Sequence, residues 1–165
     1  MNHLIQKKEQ AVLNMTCYET NNADETFELA QKLGRVAQPG QVYALDGDLG
    51  AGKTLFCQGF AEGLDVCEPV NSPTFTILQE YTTGRLPLYH FDVYRIEDPE
   101  ELEETGYGEY FFGEGVCLVE WAEQIRELLP EDTVHIRIEK DPKRGMDYRR
   151  ITIGGLPADL TGDVK

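Results

Sequence analysis

The chain has 165 residues, 41% hydrophobic and 27% charged, the balance of a globular protein with one core. Thirty acidic against 15 basic residues give a net charge of −15, which repels phosphate backbones and disfavours direct, extensive nucleic-acid binding while leaving an acidic surface able to dock on a basic partner protein. No apolar run approaches the roughly 20 residues of a membrane span, and Met1 to Gln10 lack the apolar centre of a signal peptide, so the expected location is cytoplasmic.

In chain order, Met1 to Leu13 carry no clear pattern, and Asn14 to Glu19 reads as a short edge strand. A helix is expected from Ala23 to about Ala37. Asn22 is its N-cap, Glu25 the capping-box partner, and Phe27, Leu29, Ala30, Leu33, Val36 and Ala37 form its apolar face. Pro39-Gly40 ends it. Val42-Tyr43-Ala44-Leu45 then reads as a strand, and Leu55, Phe56, Gly59 and Phe60 recur at helical spacing.

Between that strand and that helix lies Gly47-Asp48-Leu49-Gly50-Ala51-Gly52-Lys53-Thr54. It fits G-x-x-x-x-G-K-[ST] in the strand–loop–helix context that makes the pattern a phosphate site. The glycines let backbone N–H groups approach phosphate oxygens, and the helix N-terminus points its positive end at the same anion. Lys53 adds a mobile charge for the β- and γ-phosphates, and Thr54 a hydroxyl for Mg²⁺. The alternative is a glycine-rich turn that only reverses the chain.

Further on, Pro69 to Pro73 is a turn-rich loop. Thr74 to Tyr81 and Leu86 to Val93 read as strands of an antiparallel hairpin turned at Thr83-Gly84. Asp98-Pro99 starts an acidic helical turn reaching Glu104. Val116 to Val119 is a fully apolar run, as in a buried parallel strand. A short helix, Ala122 to Leu129, follows. Val134 to Ile138 and Arg149 to Ile153 alternate as two strands buried on one face, joined by the charged Lys140 to Asp147 turn. Cys17, Cys57, Cys67 and Cys117 form no metal or redox motif, and Cys57 and Cys117 read as core residues.

Two carboxylates stand at ends of apolar runs. Glu120 follows the more apolar one, so it is assigned to Mg²⁺ against the alternative of a plain strand-end carboxylate. Asp92 either orients the attacking water, binds Mg²⁺ through water, or is a solvated residue paired with Arg95. His90 shares its strand face and ranks lower, as a structural histidine. Trp121 either covers the site or anchors the last helix. Ser72-Pro73-Thr74 either senses the γ-phosphate or is a turn capped by serine. No arginine finger is evident near the glycine loop, which implies slow turnover by the isolated chain. The fold expected is α/β: a three-layer P-loop NTPase with a mixed, mainly parallel sheet and an antiparallel hairpin, as one domain over 1–165, with 1–13 and 155–165 as loose ends.

Taken together, Thr26, the glycine loop, Ser72-Pro73-Thr74-Phe75, His90-Phe91-Asp92-Val93-Tyr94-Arg95, Glu101-Leu102, Gly106, Tyr110-Phe111 and Val119-Glu120-Trp121 resemble the TsaE family (formerly YjeE/YdiB). That family is the P-loop ATPase of bacterial tRNA threonylcarbamoyladenosine synthesis. The resemblance implies ATP and Mg²⁺ as cofactors and TsaB and TsaD as partners, with tRNA reached only indirectly. It implies that Lys53 binds phosphate, that Thr54 and Glu120 bind Mg²⁺, and that Asp92 is needed for activity. Asp48, Gly50, Ala51, Gly52, Ser72, Thr74 and Trp121 line the nucleotide site, with Thr26 nearby. An arginine of the C-terminal strand pair is a further candidate for the site, with Arg149 and Arg150 not separated by the sequence. Ala122 departs from the proline common after Glu-Trp. A P-loop small-molecule kinase and a nucleotide-gated binding module with little turnover are the alternatives, the kinase disfavoured by the acidic Glu97 to Glu104 loop.

Overall fold

The computed structural model describes residues 15–73 and 75–164. The expectation for Met1 to Leu13, and Thr74 itself, lie outside them. Seven strands form one sheet in the order β1-β7-β6-β2-β5-β4-β3. They are β1 (Thr16–Thr20), β2 (Val42–Gly47), β3 (Leu78–Tyr81), β4 (Leu88–Asp92), β5 (Val116–Glu120), β6 (Val134–Lys140) and β7 (Arg149–Gly154). The central strands β6, β2, β5 and β4 run parallel, while β1, β7 and β3 add antiparallel edges. The fold is therefore α/β with a mixed sheet and a mainly parallel centre, as the sequence implied.

Alternation along the strands sorts the core into two layers. Tyr43, Leu45, Leu88, Val116, Leu118, Ile136, Ile138, Ile151 and Ile153 face one cluster with residues of α1 (Ala23–Val36) and α2 (Lys53–Gly63). Val42, Ala44, Phe91, Cys117 and Val119 face the other. That second face is covered by two 3-10 segments, Pro99–Thr105 and Ala122–Leu128, and by the short helix α3 (Tyr107–Phe111). Phe56, Phe60 and Leu33 are fully buried on the first face, each contributing about 1.5–3 kcal/mol by leaving water.

Local details differ from expectation in four places. The Asn22 side chain caps α1 by accepting from Glu25 N–H at 2.9 Å, but Glu25 Oε2 accepts from Asn21 N–H at 2.7 Å, so the reciprocal bond falls one residue early. The strand expected from Thr74 starts only at Leu78. Phe75 is exposed, and Ile77 sits at φ 65° in a turn closed by Ile77 N–H to the Pro73 carbonyl. The expected Ala122 helix is a kinked 3-10 segment, because Ile125 has non-helical angles. Residues 155–164 are not a loose tail: α4 (Ala158–Thr161) and the turn after it bury Leu156, Leu160 and Val164 in the first cluster.

Candidate nucleotide site

β2 ends at Gly47, where a side chain could not fit: a Cβ there would lie 2.7 Å from the Ile138 carbonyl oxygen of neighbouring β6. The loop then turns through Gly50 (φ 78°) and Gly52 (φ 101°), left-handed conformations that glycine adopts without strain. Gly52 caps α2, whose 11 residues start at Lys53. The loop thus presents a helix N-terminus and glycine backbone to an anion, the geometry a phosphate group needs.

Lys53 is buried, and its Nζ donates to the carbonyls of Gly47 (2.5 Å) and Asp48 (2.9 Å). The ammonium also lies 4.0 Å from the centre of the Trp121 ring. Burial lowers its pKa, opposed by the charges of Glu120, Asp48, Asp46 and Asp92. Asp48 itself is exposed at the loop.

Beside the loop, a chain of oxygens runs from α2 to β5. Thr54 Oγ1 lies 3.1 Å from Ser72 Oγ, which donates to Glu120 Oε2 at 3.0 Å. Three elements converge here. Thr54 is in the first turn of α2, and Glu120 is the last residue of β5. The segment bearing Ser72 is pinned by Gln58 Nε2 to the Val70 carbonyl (3.1 Å) and by Asn71 N–H to the Tyr81 hydroxyl (3.4 Å). Two hydroxyls and a carboxylate are the hard oxygen donors that suit Mg²⁺. The donor set and the glycine cradle fit a magnesium nucleotide.

Asp92 is the register partner of Glu120 on adjacent β4 and is nearly buried. Burial raises its pKa, the Glu120 charge raises it further, and the Tyr94 N–H bond to Oδ1 at 3.0 Å opposes both. Asp92 is thus held by backbone rather than paired with Arg95, whose guanidinium lies 4.7 Å from the centre of the Phe75 ring. Trp121, at φ 60°, stacks against Tyr94 with ring centres 4.8 Å apart and supports Lys53 on its face. It borders the site rather than only anchoring the segment after it.

Strand alternation separates the two arginines. Arg149 shares the face of Ile151 and Ile153, and its Nε donates to the Ala51 carbonyl at 2.8 Å. Arg150 faces the other way, across from Glu19 and Glu139. Of the two arginines that were candidates for the site, Arg149 is the one at the glycine loop. Thr26 is buried and reaches the loop only indirectly. Its hydroxyl lies 2.6 Å from that of Thr20, and Thr20 is the register partner of Arg149. Lys140 was missed: its Nζ is 3.2 Å from where a Gly50 side chain would begin. The signal was present, since Lys140 continues the Ile136, Ile138 alternation. Tyr94 was also missed, and no periodicity marks it.

Comparisons with known proteins agree with this fold. Residues 20–151 match the family model described as threonylcarbamoyl adenosine biosynthesis protein TsaE. The tRNA threonylcarbamoyladenosine biosynthesis protein TsaE of Bacillus subtilis (strain 168) is 54% identical over 135 residues, 82% of each chain. The protein of the same description from Treponema pallidum (strain Nichols) is 44% identical over 119 residues, 72% of this chain and 87% of the relative. The crystal structure of YdiB from Bacillus subtilis superposes with a TM-score of 0.76 at 43% identity, covering 91% of this chain and 93% of that one. With a glycine loop, a mixed sheet and a matched span that encloses Thr26, Thr54, Asp92, Glu120 and Arg149, the chain belongs to the TsaE family.

Proposed function

We propose that this chain is the Mg²⁺-dependent ATP-hydrolysing subunit required for threonylcarbamoyladenosine modification of tRNA, acting on a TsaB–TsaD complex and meeting tRNA only through it. Family membership supports the pathway. The observation that carries the ATPase reading is the Thr54–Ser72–Glu120 oxygen chain beside the glycine loop. The charge of −15 favours action through protein partners over a grip on RNA.

In this reading the backbone of Gly50 to Thr54 holds the phosphates. Lys53 exchanges the Gly47 and Asp48 carbonyls for phosphate oxygens and neutralises charge that builds up during transfer. Thr54 and Glu120 hold the metal, which when bound supplies further neutralisation of that charge. Tyr94 N–H fixes one oxygen of Asp92, and the other orients the attacking water. Trp121 shields the Lys53 side of the pocket from solvent. Arg149 braces the loop at Ala51.

The test is ATP hydrolysis by the chain alone and with purified TsaB and TsaD. Slow turnover that rises with the partners, and its loss in Asp92→Ala and Glu120→Ala, is expected. Wild-type hydrolysis in both variants overturns the mechanism, and an ADP burst that needs a small-molecule acceptor overturns it in favour of a kinase. A pull-down from a bacterial lysate, with and without ATP, should recover TsaB and TsaD; recovery of neither under both conditions overturns the partner assignment.

A further inference from the structure

His90 is fully buried on β4, the last of the parallel strands, between parallel β5 and antiparallel β3. Its Nε2 lies 2.8 Å from Glu120 Oε2, the same oxygen that accepts from Ser72. Its Nδ1 has no hydrogen-bond partner among the described residues. An isolated polar atom in such a place is costly. Leu88 precedes His90 on the same face and Leu118 is its partner on β5, while Asp92 follows it on that face and Gln79 is its partner on β3. A leucine would fill the position without leaving a polar atom unpaired. What the imidazole adds is one bond, and that bond goes to Glu120.

We propose that His90 is a positioning residue: its Nε2–H donates to Glu120 Oε2 and aims the carboxylate at the Thr54 and Ser72 hydroxyls. The inference rests on the reading of Glu120 as a metal-holding carboxylate. Carboxylates that hold metals are themselves held by hydrogen bonds, without which they rotate among several orientations. Ser72 comes from a loop and cannot supply that restraint alone. His90 is on a central strand next to that of Glu120, so its donor is as fixed as the sheet. The unpartnered Nδ1 follows from the same arrangement, because the ring is oriented by its bond to Glu120 and Nδ1 then meets no hydrogen-bond partner among the described residues. The buried Cys57 thiol lies within 4.8 Å of this pair, and burial raises its pKa well above the ordinary value.

The experiment compares two amides of different reach. The His90→Gln nitrogen reaches the Nε2 position, whereas the His90→Asn nitrogen stops near that of Nδ1. Binding of a non-hydrolysable ATP analogue is measured calorimetrically on the full chain, with Mg²⁺ and with chelator. The expected result is that His90→Asn loses about 10–100-fold of the Mg²⁺-dependent tightening while His90→Gln stays within about 3-fold of wild type, both with unchanged metal-free affinity. Equal tightening in His90→Asn and wild type overturns the inference, as does equal loss in both variants or a matching loss of metal-free affinity. Wild-type protein that binds no nucleotide overturns the nucleotide reading itself. Imidazole ¹⁵N resonances of the wild type give a measurement independent of either variant's folding: an Nε2–H ring is expected, and an Nδ1–H ring overturns the proposal.

Discussion

On one face of the sheet, helices of 14 and 11 residues pack backbone to backbone. On the other, a five-residue helix and two 3-10 segments pack through side chains. The first contact depends on glycine. A Cβ at Gly34 would lie 2.1 Å from the Phe60 carbonyl oxygen, and one at Gly63 would lie 2.1 Å from that of Gln31. The second depends on aromatic edges, with Phe91 against Phe111 at 5.3 Å and Tyr89 against Tyr110 at 4.7 Å. His90, Asp92, Glu120, Lys140 and Arg149 all have the strand parity of the helical face. Close helix packing fixes where the N-terminus of α2 lies relative to the strand ends, and the polar residues gather where that position is fixed. Among the described residues the opposite face adds Trp121 and Tyr94 at its border. Among the described residues no helix is long and apolar enough to cross a membrane.

Paired substitutions across the sheet test this division. The largest effect is expected at Glu120→Ala, which should lower Mg²⁺-dependent ATP hydrolysis about 10²–10³-fold, the cost of losing one preorganised stabilising group. Asp46→Asn, whose carboxylate accepts from Glu123 N–H on the opposite face at 3.0 Å, should leave hydrolysis near wild type. Equal losses would break the division.

Next in size is helix packing. Gly34→Ala should destabilise by about 1–3 kcal/mol through overpacking. Gly108→Ala in α3, with nothing within 4 Å of the new methyl group, should be neutral or stabilise by up to about 1 kcal/mol from helix propensity. Urea midpoints of the two variants provide the comparison.

Smaller again is the difference between the arginines. Arg149→Met should weaken ATP binding by about 10-fold, since a charge-assisted bond to the loop is lost, and Arg150→Met should not change it. Calorimetric titration decides; a reversed order would contradict the strand parity.

The smallest effect is on stability through Asp92. Burial and the charge of Glu120 raise its folded pKa. A group raised in this way contributes stability that is complete below its unfolded pKa and lost as pH rises through the folded value. Asp92→Asn should therefore raise Tm at neutral pH, the gain should shrink as pH falls through that raised value, and activity should drop at every pH. A Tm difference that does not change with pH would remove burial of the charge as its cause.

Much of the site was legible because its chemistry is local. The glycine loop needs residue types at fixed spacing in one turn, so Gly47 to Thr54 declares itself. The apolar run before Glu120 announces a strand between two others, and β5 does lie between β2 and β4. Arg149 could also have been separated from Arg150, because Ile151 and Ile153 set the buried parity. The tail could not be read: Leu156, Leu160 and Val164 are too sparse to show a period, and only the exposed side of the first core makes them useful. The strand expected from Thr74 has β-prone residues, but the ladder with β4 begins at Leu78 and over 75–77 makes a single backbone bond, from Asp92 N–H to the Ile77 carbonyl, and without a ladder propensity cannot hold the chain extended.

The sequence by itself determined the strands, the helices and the phosphate loop, because periodicity and glycine spacing act over a few residues. Only the tertiary structure decided that Ser72 joins Thr54 to Glu120, that the donor of His90 points at that same carboxylate, and that Arg149 rather than Arg150 braces the loop. Those contacts join residues 18 to 98 positions apart. Their partners are chosen by strand order and helix packing, which no local pattern records.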